Sequence, residues 1–333
     1  MSNADKPKET SRRPRPQWAR RKAAGEAAYK VCRALLLFGF CFLIAQPLIN
    51  KLSVSFMPEA DLADPTVVNV PRQITLDNYA VVNRLMNYFP TLGKTALILI
   101  SGAALQITVC TLAGYGFARY RFPLRGPLFA CAMAIIIIPP QLIQSPLYLN
   151  FRFFDIAGLF RLINGAPLNL LNNVAAYLLL CAGGMGLKSG LYIFIMRQYF
   201  RGAPKEMEEA AYVDGCGRLR TFVQIMLPDA LPMITSCFLF SFVWQYTDGF
   251  FSRLFLTRAG VISTRLGLLQ NDLNAYVAAR RGFIALSSQS YVGEYPSAIV
   301  ATGLLVSIAP LILIYLFAQR TFVMSLSQTG IKM

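Results

Sequence analysis

Histidine is absent from all 333 residues, and with it go the commonest general acid/base and the commonest metal ligand, so a histidine-dependent enzyme is excluded. Charge is sparse as well: 14% of residues are Asp, Glu, Lys or Arg, against roughly 25% in soluble globular domains. The seven cysteines include no C-x-x-C pair and follow no regular spacing, which argues against a zinc site or a disulfide framework. Cys41, Cys110, Cys131, Cys181 and Cys237 fall inside apolar runs and read as small buried hydrophobes. Acids are scarce beside bases, 16 against 32, for a net charge of +16. Such a surplus could serve nucleic acid, but it is concentrated before residue 31 and in short turns between apolar runs. That distribution follows the positive-inside rule of membrane proteins, and no nucleic-acid partner is expected.

What remains is apolar. Hydrophobic residues make up 55% of the chain and mean hydropathy is +0.48, which makes a bilayer the natural solvent. Apolar runs fall at 33–54, 91–118, 128–149, 174–198, 230–251 and 297–318. Each is long enough to cross about 30 Å of hydrocarbon as a helix, the form that satisfies its own backbone. The expected fold is therefore all-α and polytopic, with about six transmembrane helices.

Residues 1–30 are polar and carry Arg12, Arg13, Arg15, Arg20, Arg21 and Lys22. They are expected to form a disordered cytoplasmic tail held near anionic membrane lipid, leaving 31–333 as the transmembrane unit. Pro-Arg-Pro follows Arg13 where an export signal would turn apolar, so the first run is expected to be an uncleaved anchor. About six crossings from a cytoplasmic tail put both termini in the cytoplasm. The segment 55–90, with Glu59, Asp61, Asp64 and Asp77 against Arg72 and Arg84, suits the outside, and the turn with Arg119, Arg121 and Arg125 suits the inside. The loop 253–296 should be external despite Arg253, Arg258, Arg265, Arg280 and Arg281, since long loops translocate largely regardless of charge.

The fourth run is interrupted by Gly183, Gly184, Gly186 and Gly190 and holds Lys188 well inside it. A lysine at that depth costs about 3 kcal/mol to insert and should face protein or a water-filled cavity. Gly-Met-Gly-Leu-Lys-Ser is not a phosphate loop, for it lacks Gly before the Lys and follows no strand pattern.

Between the fourth and fifth runs lies the polar stretch 201–229, with five acids and four bases, too polar to cross a bilayer. Pro204 suits a first helical position, Glu206, Glu208 and Glu209 suit the positive end of a helix dipole, and Gly215 suits a left-handed stop. A second short helix is expected from Arg218 to Met226, ending before Pro228. Met207, Ala210, Ala211 and Asp214 fall at helical spacing, and the alanines leave little bulk for an approaching partner. Taken alone, these features fit a solvated amphipathic loop helix better than a docking site.

Glu209, Ala210 and Ala211, then Gly215, then Ile225, Leu227 and Pro228 resemble the EAA signature of binding-protein-dependent ABC importer permeases without a gap. The words Glu208 to Gly215 resemble its carbohydrate-type, maltose-permease-like subgroup. From about Asn78 onward the likeness continues in Gly114 to Phe122, in Pro139, Pro146 and Leu147, and in Gln319 to Val323. Trp244-Gln245-Tyr246-Thr247-Asp248 departs from the subgroup's Trp-Asn, and Ser325 stands where Gly is usual. The resemblance implies a type I ABC importer fold whose coupling helix seats in a cytoplasmic ATPase dimer. It implies a second permease chain and a periplasmic solute-binding protein as further partners, with ATP and Mg on the ATPase and no cofactor on this chain. The ATPase-coupling residues it implies are Glu208, Glu209, Ala210, Ala211, Asp214, Gly215, Ile225, Leu227 and Pro228.

A sugar path would be lined by polar and aromatic residues that interrupt the spans, and Asn150, Lys188, Trp244, Gln245 and Asp248 are the candidates. Helix packing or interfacial anchoring explains each of them as readily. Two other classes stay open on composition: an ion-driven secondary transporter, which would need mid-membrane carboxylates and repeats, and a membrane scaffold without transport.

Overall fold

The computed structural model describes residues 17–64, 66–68, 70–156, 158–281 and 295–330, with their side chains described between 25 and 319 except at 27, 164, 280, 281 and 318. The first helix, α1 (Gln17–Ser55), starts inside the expected tail. Ala23, Ala24, Ala27 and Ala28 with the neighbouring bases are strong helix formers, so the apolar run propagates backwards and 17–30 is helical, not disordered. Arg12, Arg13 and Arg15 lie outside the described residues. After α2 (Glu59–Ala63) and α3 (Asp77–Met86) comes α4 (Tyr88–Arg119), the central helix. It is followed by α5 (Arg125–Ile137), a 3-10 turn at Pro140–Ile143, α6 (Gln144–Arg152) and α7 (Leu159–Asn164).

All six apolar runs fall on helices, but not all as continuous spans. Among the described residues, Ala28–Ser55, Tyr88–Arg119 and Tyr295–Phe317 are single helices long and apolar enough to cross a membrane. The third run bends by 105° between α5 and the segment Pro140–Arg152. Ile138 precedes Pro139 and is forced into an extended conformation, which ends α5 there. The fourth run splits into α8 (Val174–Ala182) and α9 (Ser189–Gly202). Gly184, at φ 68°, closes α8: the Met185 amide donates to Leu180 O and the Gly184 amide to Cys181 O, a Schellman stop. The fifth run is α13 (Leu231–Thr247), and the segment before it, Arg218–Asp229, meets it at 72°.

Among its described residues, the region expected as a long external loop is largely helical. It contains α14 (Phe250–Phe255) and α15 (Ile262–Arg281), the latter packed on α3 and on the last helix, α16 (Tyr295–Gly330). The side chains of Arg280 and Arg281, and those of Arg320 to Val323, are not among those described.

Two cores stack along α4. One gathers Leu99, Tyr177, Phe255 and Leu269; the other gathers Cys110, Tyr115, Met196, Phe200, Phe222 and Met226 at the end where α4 stops. Between α4 and α9 the contact is backbone-close, because a Cβ on Gly114 would lie 2.6 Å from Met196 Cβ and 2.9 Å from Arg197 N. The break between α8 and α9 strands carbonyls inside the helical body, a cost tolerated only where neighbours supply donors. Gln106 on α4 does so: its Nε2 donates to Leu187 O at 2.8 Å and to Ser189 Oγ at 2.7 Å, while Ser189 Oγ donates to Gly186 O. Gln106 Oε1 accepts from Ser241 Oγ and Gln245 Nε2, and Tyr177 OH donates to Gln245 Oε1.

Candidate functional site

The polar stretch folds as expected up to its midpoint. The helix α10 (Glu206–Val213) has Glu206, Glu208 and Glu209 in its first turn, where the dipole favours them; its first helical position is Glu206 and not Pro204, which precedes the Lys205 cap. Gly215, at φ 80°, ends it. The Cys216 amide donates to Ala211 O and the Gly215 amide to Tyr212 O, a second Schellman stop. Beyond it the helix continues through Pro228 instead of stopping before it: α11 (Arg218–Thr221), a π turn (Phe222–Met226) and α12 (Leu227–Asp229) run together. The π turn places Pro228 in a new first turn, where its missing N–H is harmless.

The two faces of α10 differ. Glu208 points inward and is 8% exposed. Its Oε1 lies 3.3 Å from Arg119 Nε and accepts from Tyr115 OH at 3.1 Å, both at the end of α4. Arg119 also donates from Nη2 to Ala203 O at 2.8 Å, which holds the turn leading into α10. Tyr115 itself stacks edge-on against Phe200 and tilts against Phe222, so the anchor stands in the second core. Ala211 lies on the same inward side, while Ala210 is exposed, so the two alanines do not share a face.

The outward stripe is Glu206, Glu209, Ala210 and Val213, with Asp214 and Gly215 exposed beyond it. Val213 is 87% exposed and Leu219, just after the turn, 76%. Arg218 and Arg220 flank them. Ile225 and Leu227 pack partly into the second core, and Pro228 is exposed. Sequence reasoning missed Val213 and Leu219 as surface knobs, although apolar residues standing in a polar stretch are such a signal. It also missed Tyr115 and Arg119 as partners of α10, which nothing in the local pattern of either segment links.

The path candidates separate. Lys188 and Trp244 come together: the ammonium sits 4.6 Å from the ring centroid, beside the α8–α9 break, with Lys188 itself in the left-handed region at φ 63°. Asn150 is exposed on α6. Gln245 is buried and hydrogen-bonded into the Gln106 network, away from the Lys188–Trp244 pair's exposed ring. Asp248 accepts from the amides of Phe250, Phe251 and Ser252 and so caps α14. Among the described residues, no three Cys, Asp or Glu side chains gather as a metal site would require.

Residues 107–326, from mid-α4 into α16, match the family model described as binding-protein-dependent transport system inner membrane component. A probable ABC transporter permease protein of Pyrococcus horikoshii is 30% identical over 86% of this chain and 91% of its own. The maltodextrin transport system permease protein of Bacillus subtilis is 26% identical over 91% of this chain and 96% of its own. A crystal structure of a bacterial ABC transporter involved in the import of the acidic polysaccharide alginate is 20% identical, with a TM-score of 0.63 over 89% of this chain and 97% of that one, a likeness of fold. The chain, with its polar α10 segment inside the matched region, belongs to the family of binding-protein-dependent transport system inner membrane components.

Proposed function

We infer that this multi-pass permease passes a sugar or oligosaccharide across the inner membrane and takes its drive from a separate cytoplasmic ATPase dimer that docks on α10. The observation that carries the reading is the two-sided helix: Glu208 ties α10 to α4, while Glu209, Ala210 and Val213 face outward with none of the described residues over them. ATP and Mg act on the partner, a second permease completes the channel, and a periplasmic binding protein delivers the solute. Both termini then lie on the α10 side. The sugar assignment is supported by the maltodextrin relative, and the Lys188–Trp244 pair offers a charged and aromatic lining for such a solute.

The test is purification of a tagged chain from its native membranes in mild detergent. We expect a second permease and an ATPase to co-purify and to hydrolyse ATP, and reconstituted vesicles to take up malto-oligosaccharides. Gly215→Val forces a β-branched residue to φ 80° at a cost of roughly 1–2 kcal/mol, and should reduce ATPase association about tenfold. Glu209→Ala should weaken it without disturbing the fold, and Trp244→Ala should raise the KM of uptake. A chain that emerges alone, under conditions that keep a known importer intact, would overturn the coupling role.

A further inference from the structure

At the α10 end of the bundle stand three arginines from two helices that form no ion pair among the described residues. Arg197 and Arg201 lie one turn apart on α9, and Arg125 opens α5. Arg197 packs on Phe129, one turn after Arg125 on α5, so α5 and α9 present these bases at one end of their contact. Ion pairs among the described residues join Arg72 to Asp64, Arg119 to Glu208 and Arg161 to Asp155, so none of these three cations is neutralised. Gathering like charges raises the energy of the fold unless an anion joins them.

The cluster is held in place. The Arg197 guanidinium sits 4.1 Å from the Phe129 ring centroid, and its Nε is buried without a hydrogen-bond partner. Arg125 donates from Nη2 to Phe117 O and Ala118 O at the end of α4. Diffuse interfacial charge needs no such ordering. Exposed apolar side chains adjoin it: Leu124 and Leu128 flank Arg125 on α5, and Phe194 stands one turn before Arg197 on α9.

We propose that Arg125, Arg197 and Arg201 bind the phosphate of an anionic phospholipid, whose acyl chains lie along Phe194 and Leu128. Arginine suits phosphate through its fork of donors, and basic pockets between membrane helices recognise such headgroups. The neighbouring apolar side chains favour a lipid over a soluble anion or an acidic protein surface. The site requires only that the chain sits in a membrane and stands apart from the ATPase coupling inferred above.

The intact complex, or the chain alone if nothing co-purifies, is delipidated in detergent and its thermal unfolding followed with phosphatidylglycerol, phosphatidylcholine or inorganic phosphate added. Binding to the folded state raises the midpoint. Phosphatidylglycerol should raise it by roughly 2–4 °C, phosphatidylcholine should not, and Arg197→Gln/Arg201→Gln should lose most of the rise. Arg121→Gln/Arg220→Gln, two exposed bases at the same end, should keep it. Should the double variant not fold, Arg201→Gln alone, at an exposed position, should show a reduced shift. An undiminished shift in the cluster variants, or equal shifts from both lipids, would overturn the proposal. So would a shift reproduced by inorganic phosphate, which would make the site one for a free anion. Loss of ATPase association with an unchanged lipid shift would make it a protein contact instead.

Discussion

Glu208→Ala is expected to release α10 from the membrane helices and to destabilise the chain by about 3–5 kcal/mol, the usual cost of leaving one member of a buried ion pair uncompensated. Arg119 and Glu208 side chains are only 8% and 11% exposed, so water cannot readily replace the missing carboxylate. Tyr115 OH loses its acceptor at the same time. The expected results are a lower thermal midpoint, loss of transport, and ATPase subunits that dissociate on purification. Arg119→Ala should be similarly harmful, and the double variant milder than the two single effects summed, because neither charge is then stranded. Strict additivity, or a Glu208→Ala protein as stable as wild type, would mean that the pair does not hold the helix.

Gly114→Val should be the most damaging single change in α4. The added atoms meet the α9 backbone at Arg197 N and Met196 C as well as Met196 Cβ. A flexible side chain could move aside, but a helix backbone cannot, so the penalty should exceed the roughly 1–3 kcal/mol of ordinary overpacking. Little monodisperse protein should be recovered from membranes. Gly116→Val is the control: it lies on the same helix with nothing within 4 Å of its Cβ, and its recovery should be close to wild type. Equal recovery of both variants would show that the helices part easily there.

Much of this architecture is legible in the sequence because long apolar runs have one solution in lipid. The Gly215 stop is legible for the same kind of reason, since only glycine enters the left-handed region freely. The faces of α10 are not. Adjacent Glu208 and Glu209 differ only in which meets Arg119, and that depends on where α4 ends in space. Gln245 looks like a pore residue because a glutamine in a span needs a purpose; its purpose is a helix break on another element. Lys188 and Trp244 are distant in sequence, so their pairing emerges only on folding. The helical stretch 17–30 is obscured in the sequence by its basic residues, which look like a solvated tail although its alanines favour a helix.

The Gln106 network carries a further implication for how the permease moves. Its hydrogen bonds tie α4 to the α8–α9 break and to α13, with Tyr177 drawing in α8. Sliding any one of these helices by a few ångströms would strand carbonyls in a medium that offers no replacement donor. Slow amide exchange at Ser189, whose N–H donates to Gly186 O within this break, unchanged between nucleotide states, would be the sign of this. If transport follows the proposed coupling, the four helices are expected to travel as one block, with the passage opening along the seam around it and not by rearrangement within it.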